Sequence, residues 1–226
     1  MSDVVLKIKG LTKLIKQEKI LHSIDLEVQR GSVYGLIGQN GAGKTTFLRT
    51  ISGLMKATEG TIDWNIEKKY IGYMPQTCQF NGSMKVRDAI KFFAEIKQAD
   101  MNESMEILRK MKLDETKKMK YLSPGQQKKL QLTLAMAGNP DFYILDEPTA
   151  GLDPYAAHEM KGIISKLKEE GKTVIISAHI LQDMKEICTH IAIMESGKLT
   201  YCEPLVEDKM QEIISRYLHF EEGEND

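Results

Sequence analysis

Several large protein classes are excluded by what this sequence has little of. Its three cysteines, Cys78, Cys188 and Cys202, are widely spaced, with no CxxC pair and no zinc-ligand pattern. That leaves reduced thiols in a cytosolic setting as the reading. Charge of one sign is not in excess: 31 Lys and Arg face 32 Asp and Glu, for a formal net charge of −1. Nothing therefore pulls the chain as a whole toward nucleic acid or an anionic membrane. No apolar run approaches the roughly 20 residues that span a bilayer. The first ten residues, MSDVVLKIKG, carry charges where a signal peptide needs an apolar stretch. A membrane pore, if the function needs one, is expected on another chain. Internal repeats and low-complexity stretches are also lacking. What is present is an ordinary globular composition over 226 residues, enough for one large domain with or without a sub-domain.

Patterning divides the chain into three stretches. Residues 4–8 and 24–28 read as strands, Arg30-Gly31-Ser32 as a turn, and 33–37 as a short apolar strand. A glycine-rich loop and a helix from Thr45 toward Ile51 follow, then strands at 61–64 and 70–74. Character changes over 83–138. There Val86, Ile90, Phe93 and Lys97 share one helical stripe, and Met101, Met105, Leu108 and Met111 another. The Lys-rich stretch 110–120 reads as a solvated linker. Ser123 before Pro124 reads as the N-cap and first residue of a further helix. Strands return at 142–145 and 173–177, with a helix between them. Asp153-Pro154 opens that helix, Met160, Ile163, Ile164 and Leu167 line its core side, and Gly171 ends it. A helix through Cys188, a hairpin around Glu195-Ser196-Gly197-Lys198, and a last helix marked by Met210, Ile213, Ile214 and Tyr217 complete the expectation. Strands alternating with helices predict an α/β fold with a mostly parallel sheet. The expected organisation is a single domain over 1–226, with 83–138 as a helical sub-domain and 203–226 as a short helix and acidic tail.

Gly38-Gln39-Asn40-Gly41-Ala42-Gly43-Lys44-Thr45 satisfies G-x-x-x-x-G-K-[ST] between an apolar strand and a helix start. The glycines let backbone N–H groups turn inward, and the helix presents its positive end to phosphates. Lys44 would place its charge on the β- and γ-phosphates, and Thr45 would offer its hydroxyl to Mg²⁺. The motif specifies a nucleoside triphosphate. No N-K-x-D guanine signal accompanies it.

The apolar strand 142–145 ends in Asp146-Glu147. In a parallel sheet this end lies beside the phosphate loop. There Asp146 would hold Mg²⁺ and Glu147 would polarise the attacking water. An ordinary strand-to-loop exit is the alternative for two adjacent acids. His179, just past the strand 173–177, can reach the same place, or it is a capping or core histidine. Gln76, after Tyr73-Met74-Pro75, completes a Mg²⁺ shell or is a surface loop residue.

Together these residues resemble the ABC ATPase family over nearly the whole chain. The order matches: a Walker A loop at 38–45, a Q-loop at Gln76, a signature at Leu122-Ser123-Pro124-Gly125-Gln126, and a Walker B end at Asp146-Glu147. A D-loop at Ala150-Gly151-Leu152-Asp153 and an H-loop at His179 follow. The resemblance implies a P-loop NTPase with a RecA-like core, an N-terminal antiparallel β part and a helical sub-domain. It implies ATP and Mg²⁺ as ligands, with residues 38–45 and the adjoining Thr46 around the phosphates and Ile15 where an aromatic usually meets the base. Catalysis would fall to Glu147, His179 and Lys44, and metal binding to Thr45, Gln76 and Asp146. It further implies a head-to-tail dimer in which Ser123, Gly125 and Gln126 of one subunit face the nucleotide of the other. A separate transmembrane permease is the implied partner, holding the chain on the cytoplasmic face of the cell membrane. Phe80, Met84, Phe92 and Phe93 are candidates to line its docking groove, with core packing of the helical insert as the equal alternative for each.

Three departures qualify the likeness. Pro124 stands where the signature usually has Gly, Ile15 where it has an aromatic, and Lys129 where it has Arg. Proline removes one N–H and pins φ near the helical value, and lysine is a point charge rather than a fork. The expected function is the energising subunit of a membrane exporter of the drug, antibiotic or bacteriocin type. A non-transport ABC ATPase and a regulatory nucleotide-binding module with little turnover are the alternatives.

Overall fold

A computed structural model describes residues 3–67, 70–179, 184–206 and 215. Nine strands in two sheets and five α-helices make up the described chain. β1 (Val4–Ile15), β2 (Glu18–Gln29) and β4 (Glu59–Trp64) form an antiparallel sheet in the order β2-β1-β4. The second sheet runs β5-β6-β7-β3-β8-β9. Its members are β3 (Val33–Ile37), β5 (Ile71–Met74), β6 (Phe142–Leu145), β7 (Thr173–Ala178), β8 (His190–Glu195) and β9 (Lys198–Pro204). All its pairings are parallel except β8 with β9. Every residue of β3, β6 and β7 is buried, as central strands covered on both faces require.

Period-2 alternation splits these strands between two cores. Tyr34, Leu36, Phe142, Ile144 and Ile175 pack with the antiparallel sheet and with Phe47, Leu48 and Ile51 of α1 (Lys44–Ile51). Val33, Ile37, Tyr143, Leu145, Val174 and Ile176 face the opposite core, built with α2 (Val86–Lys97), α3 (Met101–Lys110), α4 (Pro124–Met136) and α5 (Pro154–Glu169). The core under the helical segment is therefore continuous with one face of the main sheet.

Local chemistry sets the helix ends. Ser123 and Gln126 form a capping box at α4 with Pro124 in the first turn. Asp153 caps α5 through Ala156 N–H at 2.9 Å, and Asp100 caps α3. Met160, Ile164 and Leu167 are buried on α5, while Ile163 is half-buried. Lys97 ends the buried stripe of α2 differently from its neighbours. Its ammonium donates to the carbonyls of Leu134, Ala135 and Ala137 at 2.9–3.4 Å, at the C-terminal end of α4. That end carries partial negative charge.

The expected outline needs correction in places. The stretch 110–120 is no solvated linker: Met111, Leu113 and Met119 are buried, and Lys118 bridges to Lys85. Lys110, Lys112, Lys118 and Lys120 are exposed, and half-buried Lys117 donates to Gln126 Oε1 at 3.0 Å, while the apolar residues close the core. The first two strands are each 12 residues long and joined as a hairpin at Lys16-Gln17, both with positive φ. Glu203 and Pro204, expected to begin the helix and tail over 203–226, belong to β9. The helix expected through Cys188 runs partly over residues 180–183, and the remaining C-terminal expectation mostly over 207–226. Those residues lie outside the described ones, Ser215 excepted.

Candidate functional site

Between Ile37 and Lys44 the chain curls with Gly41 at φ 86° and Gly43 at φ 100°, angles that favour glycine. A Cβ at Gly38 would strike the carbonyl of Met194. The loop is tied to the β8–β9 hairpin, where Gly197 N–H donates to Ala42 O at 2.9 Å. Lys44, the first residue of α1, is buried. Its ammonium donates to Gly38 O at 2.5 Å and Gln39 O at 2.9 Å, and lies 3.9 Å from Glu147 Oε1. Burial pushes its pKa down, and the carboxylates of Glu147 and Asp146 oppose that.

β6 delivers the two acids beside this loop. Asp146 is fully buried; its Oδ1 accepts from Ser177 Oγ at 2.7 Å. Glu147 has φ 48°, a left-handed conformation that costs a residue with a side chain about 1–3 kcal/mol. Its N–H donates to Ser177 Oγ at 2.9 Å. Its carboxylate is held from two sides, by Gln76 Nε2 at 2.7 Å and His179 Nε2 at 2.5 Å. A carboxylate only accepts, so Nε2 of His179 carries the proton. Lys128 on α4 donates to Gln76 O at 2.7 Å and Glu147 O at 3.0 Å.

The donor set fits Mg²⁺ and a phosphate chain. Asp146 Oδ2 is buried with no hydrogen-bond partner among the described residues. Such an orphan suits a cation, directly or through water. Among the described residues no three His, Cys, Asp or Glu cluster as metal ligands. Mg²⁺ at nucleotide sites needs none, because phosphates and waters fill most of its shell. Residues 39–41 and 43–46, with Ile20, Gln76 and Glu147, line a cavity of about 200 Å³. This is smaller than the roughly 300–1,000 Å³ of pockets that enclose a whole ligand, so it has room for the phosphate tail and leaves the rest of a nucleotide outside. A larger cleft of about 540 Å³ lies at the amino ends of the parallel strands, near Tyr34 and His190. It holds no comparable phosphate-binding loop.

The expected residues separate into two groups. Lys44, Gln76, Asp146, Glu147 and His179 converge, and Gln39, Asn40, Gly41, Gly43, Thr45 and Thr46 line the same cavity. Ile15 is exposed at the end of β1, and Ile20 is the aliphatic residue at the cavity wall. Ser123 and Gln126 sit in their own capping box at the start of α4, outside the cavity lining. Gln76 places its amide on Glu147. Lys129 pairs with Glu159 of α5 at 2.9 Å. Ser177 and Lys128 were not expected from the sequence. Ser177 is an unremarked member of the strand before His179, and Lys128 lies one turn into the helix that Ser123 opens.

A glycine loop closing a buried parallel strand, with a paired-acid strand end beside it, defines the P-loop nucleotide-binding class. Comparison with known proteins narrows this. The ABC transporter family matches residues 21–150, more than half of the chain. An ABC transporter ATP-binding protein of Methanocaldococcus jannaschii is 39% identical over 202 residues, covering 87% of this chain and 76% of that protein. The bacitracin transport ATP-binding protein of Bacillus licheniformis is 33% identical over 234 residues, covering 97% and 75%. A solved ATP-binding cassette in its ADP conformation superposes with TM-score 0.85 at 25% identity, covering 98% of this chain and 99% of that one. The chain belongs to the ABC transporter family, as an ATP-binding subunit. Among the described residues no helix is long and apolar enough to cross a membrane.

Proposed function

We propose that this chain binds ATP with Mg²⁺, hydrolyses it, and energises export through a permease on a separate chain at the inner face of the cell membrane. The observation that carries this is the seat of the Glu147 carboxylate. It lies between His179 and Gln76, beside Lys44 and next to the unpartnered Asp146 Oδ2. Phosphoryl transfer to water requires charge neutralisation and positioning more than covalent chemistry. Lys44 would leave the Gly38 and Gln39 carbonyls for the terminal phosphates, joined by the loop N–H groups. Thr45 and Asp146 would hold Mg²⁺, which when bound neutralises phosphate oxygens. Glu147 would accept a proton from the attacking water, and His179 would orient that water and the γ-phosphate. Gln76 would leave Glu147 to complete the Mg²⁺ site.

The small cavity supports a second subunit that closes over the nucleotide. Ser123, Gly125 and Gln126 of that subunit would meet the γ-phosphate head to tail. Pro124 occupies the first turn of α4, where a missing N–H is tolerated, so this departure gives no reason for an impaired signature. For the permease, a groove of about 510 Å³ beside the Q-loop includes Phe80 and Phe93 in an apolar wall. Phe92 is exposed nearby on α2, while Met84 packs into the core. Residues 83–138 would move as a sub-domain carrying this groove and the signature together. A transport role with an antibiotic-class cargo is supported by the likeness to the bacitracin transport protein.

The test compares steady-state ATP hydrolysis of the wild type and Glu147→Gln, alone and with the membrane protein that co-purifies. Loss of a positioned general base lowers turnover by about 10²–10⁴-fold. Equal hydrolysis by both proteins removes Glu147 from the chemistry. No hydrolysis by either would leave a nucleotide-binding module.

A further inference from the structure

Lys128 stands apart from the other lysines of α4. Lys129, the next residue, makes an ordinary ion pair with Glu159. The Lys128 ammonium instead spends two of its three N–H donors on neutral main-chain carbonyls, Gln76 O at 2.7 Å and Glu147 O at 3.0 Å. These carbonyls lie two residues past the ends of β5 and β6, which are neighbours in the sheet. The side chains of the same two residues meet at 2.7 Å. Gln76 and Glu147 are therefore joined twice, once directly and once through α4.

The main chain at Glu147 needs such support. Its φ of 48° is unfavourable for a residue with a Cβ, and such angles persist where surrounding bonds over-determine them. Ser177 Oγ fixes the N–H of Glu147 from the sheet side, at 2.9 Å. Lys128 fixes its carbonyl from the helix side. Burial lowers the pKa of Lys128, opposed by the Glu147 and Asp146 carboxylates. The lysine is thus half-buried without a direct carboxylate contact, a placement that a solvent-facing role would not need.

We infer that Lys128 is a positioning residue: it clamps the main chain of Glu147 and Gln76 to α4, so that the angle of the Glu147 carboxylate follows the position of that helix. The inference rests on Glu147 being the water-activating group, and adds how its seat is controlled. The same helix begins at Ser123, one turn before Lys128. Displacement of its first turn by a second subunit would reach Glu147 through one side chain. Lys128 acts through Glu147 and has no contact of its own with the phosphate cavity.

The test uses the full chain as Lys128→Met and Lys128→Arg beside the wild type and Glu147→Gln. Methionine keeps the aliphatic stem and removes the donors, while arginine restores them. Hydrogen exchange without nucleotide is followed at peptides covering 74–79 and 144–150. In Lys128→Met exchange rises at both by about tenfold, the size of one charge-assisted hydrogen bond, and Lys128→Arg returns it toward wild type. In hydrolysis, Lys128→Met lowers kcat by about 10–100-fold, the usual effect of losing a group that orients a reacting one, with KM for ATP within about threefold. Unchanged exchange at either peptide overturns the clamp whatever the activity. So does a rise in KM together with a fall in thermal stability that arginine does not rescue, because that is general unfolding. Raised exchange together with hydrolysis indifferent to Glu147→Gln leaves the clamp standing and removes the assignment of Glu147 instead.

Discussion

At the residue scale, four side chains converge on one glutamate. Glu147 is held at its N–H, its carbonyl and both carboxylate oxygens by Ser177, Lys128, His179 and Gln76. None of these partners is its neighbour in sequence. Glycines act by a different logic. A Cβ at Gly125 would meet Ala156 Cβ at 3.2 Å, a tight approach where α4 crosses α5. Gly125→Ala needs a shift of a few tenths of an ångström, an overpacking cost of about 1–3 kcal/mol partly offset by the roughly 1 kcal/mol that alanine gains over glycine in a helix, so thermal unfolding should move little. If Gly125 faces the nucleotide of a second subunit, ATP hydrolysis should fall far more than stability does. A parallel loss of both would make the glycine a packing residue only. Gly38→Ala differs because the obstruction is the main chain at Met194. It should abolish nucleotide binding, as read by equilibrium titration with MgATP.

At the element scale, α4 is the hinge between local and distant order. Its start is written in Ser123-Pro124, and Ser123→Ala should lower stability by about 0.5–2 kcal/mol, as Asp100→Ala should for α3. Comparable losses in denaturant unfolding, with hydrolysis impaired only in the Ser123 variant, would separate capping from a nucleotide contact. The end of α4 is decided by Lys97 from another helix. Burial lowers its pKa to about 8 from an ordinary 10.5. Between about pH 8 and 10.5 the unfolded chain therefore binds more protons than the folded one, and stability rises with pH through that window. Unfolding free energy of the wild type relative to Lys97→Met should climb from about pH 8 upward and stay flat below it. A flat difference throughout would show that Lys97 titrates normally.

At the scale of the whole molecule, the phosphate loop and the Glu147 cluster lie at the carboxyl ends of the parallel strands, in a cavity of about 200 Å³. The proposed closure by a second copy predicts that Glu147→Gln dimerises with MgATP and not with MgADP in sedimentation velocity. Lys44→Ala added to it should leave a monomer. Dimerisation without dependence on the terminal phosphate would contradict that closure, since a ligand shifts an equilibrium only by its differential affinity.

The legible parts of this protein were those whose physics is local. Residues 38–45 require glycine angles and a lysine at a helix start, and 142–147 an apolar strand ending in acids, so the phosphate loop, its strand and the caps of α4 and α5 could be read from neighbouring residues. The β1–β2 hairpin was not legible because Lys16-Gln17 adopts positive φ without the Asn-Gly or Asp-Gly signal. The stretch 110–120 misled because its lysines dominate its composition while three apolar residues do its packing. Only the tertiary structure decided that Ser177 and Lys128 meet Glu147, that Gln76 turns its amide onto that carboxylate, and that Lys97 closes α4. Each is a contact between elements far apart in the chain, and side-chain patterning records which face is buried without recording what lies across it.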